Sequence, residues 1–153
     1  MPCNPTSSCG KIYRKAGTGV RHSEYNREPE TTKIFQIWIE PTAKGGKPSW
    51  GAKPFPKQDR SGRFVALASG QADDEDALRI RADARVLGAT LKAGETATYS
   101  IAPGRRAYLV PSTGAVEVNG VRLEQRDGAA VQNERELNVT AIEDAEVVLV
   151  DVT

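Results

Sequence analysis

At 153 residues, with 21 Lys plus Arg against 20 Asp plus Glu, the chain is sized for one domain with its own core and carries a net charge of only +1. That balance supplies no field to gather nucleic acid or an anionic membrane, and no apolar run approaches the ~20 residues that cross a bilayer. A soluble, cytoplasmic protein with neither nucleic acid nor membrane as partner is therefore expected, and a single histidine, His22, leaves little material for a metal or acid–base site.

Met1 to Gly10, MPCNPTSSCG, has neither the charged start nor the apolar segment of a signal peptide. It reads as a loose tail in which Cys3 and Cys9 are free thiols, too close together to staple distant parts of a fold. Lys11 to Asn26 differs in kind: Ile12 and Tyr13 precede a Gly17-Thr18-Gly19 bend, and Val20, His22 and Glu24 follow two apart. On an extended strand that spacing puts His22 and Glu24 on one face. Ile34 to Glu40, IFQIWIE, is a dense β-branched and aromatic run stopped by Pro41, and it predicts a buried strand with Trp38 in a core or interface. Thr42 to Gly62 carries Pro48, Pro54 and Pro56 among Gly45, Gly46 and Gly51, which predicts a long irregular loop anchored by Trp50 and Phe55, as a lid or as a dimer contact.

Short strands then follow at regular spacing: Arg63 to Ala68, Leu78 to Ala82, Val86 to Leu91, Thr96 to Ile101 and Arg106 to Val110. The acidic run Asp73 to Asp76 between the first two reads as a solvated loop tip. Arg105 and Arg106, after Pro103-Gly104, read as solvated surface arginines, the sharper alternative being an anion contact at a barrel mouth. Val116 to Val118 and Val121 to Leu123 flank Asn119-Gly120, the pair that accepts the positive φ angles of a type I′ turn, so a hairpin is set locally there. Ala129 to Val131, Leu137 to Ile142 and Glu146 to Val152 complete the series. No segment keeps a 3.6-residue apolar period over helical length, so the fold class is all-β, a sandwich or barrel.

With those residues in hand, the chain resembles the pirin family of cupins. The resemblance rests on AGTGVRHSEYN (Ala16 to Asn26), FQIWIEP (Phe35 to Pro41), the PSW and KPFP pieces, GRFVALAS, and APGRRAYLV followed by VNGVRLEQRDGAAV. It implies a cupin jelly roll: residues 1–31 as an N-terminal arm, the remnant of a first barrel, and 32–153 as a barrel like the family's second. In the family a metal, usually iron, is held in the first barrel by three histidines and a glutamate. The His-Ser-Glu part of that set matches His22 and Glu24, and the upstream His-x-His pair has no counterpart in this chain. One imidazole and one carboxylate are half a site, short of the two-His-one-carboxylate set of a non-haem iron oxygenase. Water, substrate, a second chain, or Cys3 or Cys9 would have to complete it.

The general cupin motifs can be laid on the second barrel by their glycines, Gly94, Gly114, Gly120 and Gly128. The ligand positions then fall on Ser100, Ala102, Ala107 and Val131, none of which offers a metal a nitrogen or carboxylate. The alternation of Ala97, Tyr99 and Ile101 pulls against this placement, since it points Thr98 and Ser100 away from a dry core.

The leading expectation is thus a metal-free single-cupin module that binds a small molecule in its barrel or a protein on its sheet, with no cofactor. The second is a pirin-type dioxygenase acting on a flavonol-like aromatic, with Fe(II) or another divalent metal held partly by His22 and Glu24. A third, structural reading is a shortened relic whose exposed strand edge drives homodimerisation, with Lys11 to Asn26 adding as a strand to a partner's sheet, and a homodimer is the expected assembly.

Overall fold

A computed structural model describes residues 11–19, 21–23, 25–27 and 29–153. The order of elements is β1 (Lys11–Lys15), β2 (Ser49–Lys53), a single 3-10 turn (Gln58–Arg60), β3 (Val65–Ser69), β4 (Leu78–Arg79), β5 (Ala84–Leu91) and β6 (Thr96–Ser100), followed by β7 (Arg106–Thr113), β8 (Val116–Val118), β9 (Val121–Leu123), β10 (Ala129–Val131), β11 (Glu136–Ala141) and β12 (Ala145–Val152). A six-stranded sheet in the order β10-β7-β12-β5-β3-β4 faces a four-stranded sheet in the order β6-β11-β8-β9. Among the described residues no strand pairing joins the two, so side chains close the jelly roll. No helix is long and apolar enough to cross a membrane.

The inward residues of the two sheets make one core. Leu87, Ala89 and Leu91 of β5, Leu109 of β7 and Val147 and Leu149 of β12 meet Ala97 and Tyr99 of β6, Val116 and Val118 of β8 and Leu137 and Val139 of β11. In the four-stranded sheet β6 and β11 alternate buried with exposed or half-buried residues, as a sheet with one wet face requires, whereas β5 and β12, central in the six-stranded sheet, are buried or half-buried throughout. The hairpin β8–β9 turns on Asn119 and Gly120, both at positive φ. Asn119 then ties the turn to β11: its Nδ2 donates to the Glu136 carbonyl and its Oδ1 accepts from the Asn138 amide, both at 2.9 Å.

Several expectations need correction. The segment 42–62 is not wholly irregular, for β2 runs through it and pairs with β1 in a separate two-stranded sheet. Phe55 is its buried anchor, with the Lys53 ammonium 5.7 Å from the ring centre, whereas Trp50 stands exposed on β2. β7 does not stop before Pro111 but continues to Thr113, because the register shift between Glu146 and Val147 in β12 accommodates the missing amide. β4 is only two residues long.

The largest correction concerns residues 34–40. They belong to no sheet, and Ile34, Phe35, Ile37 and Trp38 are 62%, 50%, 42% and 84% exposed. The residue types of a buried strand are present, but nothing among the described residues lies where a neighbouring strand would have to be.

Candidate functional site

Register gathers the interesting residues into one row across the six-stranded sheet. Val131 of β10 pairs with Ala107 of β7, Ala107 with Asp151 of β12, Asp151 with Arg85 of β5, and Arg85 with Ser69 of β3. Directly paired residues share a face, so these side chains line one end of the sandwich interior. Ser69 and Asp151 are buried polar residues there, 0% and 2% exposed.

Their polar atoms are matched. Tyr99, reaching across from the other sheet, donates its hydroxyl to Asp151 Oδ2 at 2.5 Å. Arg105 donates Nε to Asp151 Oδ1 at 2.7 Å and Nη1 to Asp83 Oδ1 at 2.7 Å. On the far side, Arg85 donates Nε to Asp74 Oδ2 at 2.7 Å and Nη2 to Asp73 Oδ2 at 3.0 Å, and Ser69 Oγ donates to Asp74 Oδ2 at 2.5 Å. The ring of Phe64 meets Tyr99 edge-on, with centroids 5.8 Å apart. Arginine therefore bridges carboxylates along this end, and one phenol bolts the two sheets together.

This arrangement corrects two readings of the sequence. Arg105 is not solvated: its side chain is 11% exposed and committed to two aspartates, while Arg106 beside it faces water. The acidic run is not merely a loop tip, since Asp73 and Asp74 hold Arg85, and the Asp76 carbonyl accepts from Lys53. Both interactions depend on partners distant in sequence, which local charge pattern does not reveal.

Electrostatics follow from burial and pairing. Burial first, then the hydrogen bond to Asp151 and its charge, push the Tyr99 phenol up to about 12, with Arg85 pulling partly back. For Arg85 burial opposes the charge, but Asp74 outweighs it and the guanidinium is held more firmly protonated. Arg105 behaves likewise through Asp83 and Asp151.

The folded state thus favours the neutral phenol. Stability is whole below the ordinary tyrosine value of 10.0 and falls as pH climbs from there to about 12. The loss should be roughly 1–2 kcal/mol, allowing for solvent at the edge of the cluster. Urea unfolding of the wild type and Tyr99→Phe across that window should show the steeper decline in the wild type, the excess being the tyrosine's share.

The four positions assigned by glycine spacing are not brought together. Ala107 is buried and Val131 half-buried in the row just described, but Ser100 and Ala102 are exposed. The inward residues of that stretch are Tyr99 and Ile101. A metal would find here the carboxylates of Asp151 and Asp74, each already paired with an arginine and bonded to a hydroxyl, Arg105 and Tyr99 for the first and Arg85 and Ser69 for the second. The interior does not fit a divalent ion, which needs several uncommitted donors. His22 is exposed and outside any strand, and Glu24, Cys3 and Cys9 lie outside the described residues. Among the described residues no group of three or more His, Cys, Asp or Glu could hold a metal.

The sequence did hold one overlooked signal. Asp151 is the only charged residue after Glu146 in the apolar strand AEVVLVDV, and it falls on the inward phase of the alternation.

Residues 66–152 match the model of the quercetinase C-terminal cupin domain. The chain belongs to the pirin family. It is 69% identical over 136 residues to a pirin-like protein of Caulobacter vibrioides, covering 89% of this chain and 59% of that one. It is 33% identical over 137 residues to a quercetin 2,3-dioxygenase of Escherichia coli, covering 89% and 58%. Among solved structures it resembles the Escherichia coli pirin YhhW in complex with nickel(II), with a TM-score of 0.81 and 32% identity over 94% of this chain and 61% of that one. The chain thus spans about three fifths of the length of the relatives it matches. The all-β cupin expectation agrees with both the domain match and this structural likeness.

Proposed function

We propose that this chain is a cupin binding module without a metal in its barrel, and that its working surface is the outside of the sandwich. The observation that carries this reading is the closed interior end: Tyr99, Asp151 and Arg105 satisfy one another where a cupin site would open, and Ala107 and Val131 add only apolar surface. A packed core leaves a partner the sheet and the segments lying on it. Enzymatic activity is not inherited from the fold, because activity belongs to a site and not to a barrel.

A second reading is favoured by one of the relatives being a quercetin 2,3-dioxygenase and another holding nickel(II). In it His22 and Glu24 contribute to an Fe(II) or other divalent site of a pirin-type dioxygenase, completed by groups from another chain.

Metal analysis of protein purified without a histidine tag, beside His22→Ala, separates the two. Under the first reading metal is far below stoichiometric in both proteins and does not differ between them. Near-stoichiometric metal that is lost in His22→Ala would overturn it in favour of the second.

A further inference from the structure

The asparagine of the β8–β9 turn does more than shape it. Asn119 and Gly120 are both exposed, with φ of 48° and 86°. Residue 119 is nevertheless bonded three ways to β11. Its amide donates to the Asn138 carbonyl at 3.1 Å, its Nδ2 donates to the Glu136 carbonyl at 2.9 Å, and its Oδ1 accepts from the Asn138 amide at 2.9 Å. The side-chain carboxamide thus carries the ladder between β8 and β11 one step past its last pair, Val118 with Val139.

A carboxamide followed by glycine is also a reactive pair. Glycine has no side chain to shield its backbone nitrogen or to narrow its φ and ψ, so that nitrogen can reach the asparagine side chain. The Gly120 nitrogen attacks Cγ of Asn119 and a C–N bond forms. The side-chain nitrogen leaves as ammonia, taking the proton that the Gly120 amide gives up. Water then opens the five-membered imide at one of its two carbonyls, leaving aspartate or, with the backbone rerouted through the side chain, isoaspartate. Water is the only other reactant, and nothing is oxidised or reduced.

The attack requires the side chain to leave its partners and fold back over its own backbone. In the closed hairpin that motion breaks the bonds to Glu136 and Asn138 together. The hairpin itself is lightly held. β8 and β9 have three residues each, β9 is the edge of its sheet among the described residues, and Val121 beside the turn is 61% exposed. Short edge hairpins open more often than the sheet behind them.

We propose that Asn119 is a latent deamidation site, held unreactive by its bonds to β11 and released when β8–β9 opens. Conversion is then a lasting mark of that opening. Aspartate at 119 has no N–H for the Glu136 carbonyl and sets a second acceptor against it. Isoaspartate adds a backbone atom to a two-residue turn whose length fixes the register of both strands. Neither product restores the closed hairpin, so the edge of the four-stranded sheet stays looser. This goes beyond the reading of the chain as a binding module and does not depend on it.

The test follows conversion of Asn119 in the whole chain by peptide mapping and mass spectrometry, at mildly alkaline pH, in native buffer and in urea beyond the unfolding transition. Asn119 should convert roughly 100-fold or more slowly in buffer than in urea. Asn138 is the internal reference: the β-branched Val139 after it hinders the same attack, so it should remain an amide in both. Val118→Ala, which trims a buried anchor of the hairpin, should speed conversion of Asn119 in native buffer by roughly tenfold or more. In Asn119→Asp, the direct product, the amides of β8 and β9 should exchange hydrogen at least about tenfold faster than in the wild type.

Equal rates of conversion in buffer and in urea would overturn the proposal, because the fold would then give no protection. So would a folded Val118→Ala chain that converts no faster than the wild type, or an Asn119→Asp hairpin that exchanges as slowly, since opening would then not be the trigger or conversion would leave no mark.

Discussion

Asp151→Ala should cost about 3–5 kcal/mol of folding stability, measured by urea or guanidinium unfolding, because it removes one half of a buried ion pair and leaves the other half uncompensated. Asp151 is 2% exposed and accepts from Tyr99 Oη and Arg105 Nε at once. Without it the guanidinium keeps Asp83, on the outer side, and a long 3.4 Å bond to the carbonyl of residue 151, and the phenol loses its acceptor in a buried place. Tyr99→Phe, which removes only the hydroxyl, should cost less, about 1–3 kcal/mol for the carboxylate lone pair left unmatched. Replacing Asp151 and Arg105 together by apolar residues of similar size should recover most of the loss, since an ion pair taken out whole leaves no stranded charge. If Asp151→Ala unfolded at the wild-type midpoint, the cluster would be ornament and not the bolt between the sheets.

Gly114→Ala should destabilise by about 2–5 kcal/mol, the combined cost of a left-handed backbone for alanine and of forced overlap with a fixed neighbour. Gly114 has φ +70, and a Cβ there would stand 2.4 Å from the Asp144 carbonyl oxygen and 2.9 Å from Ala145 Cα, both backbone atoms that cannot swing aside. Gly120→Ala supplies the control. Its φ of +86 is equally left-handed, but nothing lies within 4 Å of the added methyl, so only the conformational cost of about 1–2 kcal/mol applies. Thermal or denaturant midpoints of the two variants should therefore differ clearly. Equal losses would mean that the approach of the β7–β8 turn to the start of β12 is not tight.

That glycine also shows how far motif spacing can be trusted. Gly114 and Gly120 stand at turns, and the hairpin between β8 and β9 is where Asn119-Gly120 predicts it. The ligand positions counted between the glycines fared differently, because a count of residues carries no information on which face each one takes. Ser100 and Ala102 are exposed and Tyr99 and Ile101 buried, the outcome that the alternation of Ala97, Tyr99 and Ile101 points to. Where a count and a period disagree within a strand, burial follows the period, since slipping by one residue would put every apolar side chain of β6 in water.

The charged residues were the least legible. Arg105 reads locally as a surface residue beside another arginine, and Asp73 and Asp74 as part of a solvated tip. Their partners lie 46, 12 and 11 residues away, brought close only when β3 pairs with β5 and β7 with β12. The run 34–40 was misplaced for the opposite reason: its composition is that of a covered strand, but composition does not say whether a neighbouring strand is there to cover it, and among the described residues none is.

By itself the sequence determined the all-β class, most of the strands from β3 to β12, the hairpin at Asn119-Gly120 and the poverty of metal ligands, because these follow from period-two alternation, turn chemistry and residue types, all of which are local. Only the tertiary structure decided that Val131, Ala107, Asp151, Arg85 and Ser69 stand in one row, that Tyr99 crosses to close it, and that 34–40 remains bare. Those outcomes depend on register between strands far apart in the chain, and register is set by what each strand meets when the sheets come together.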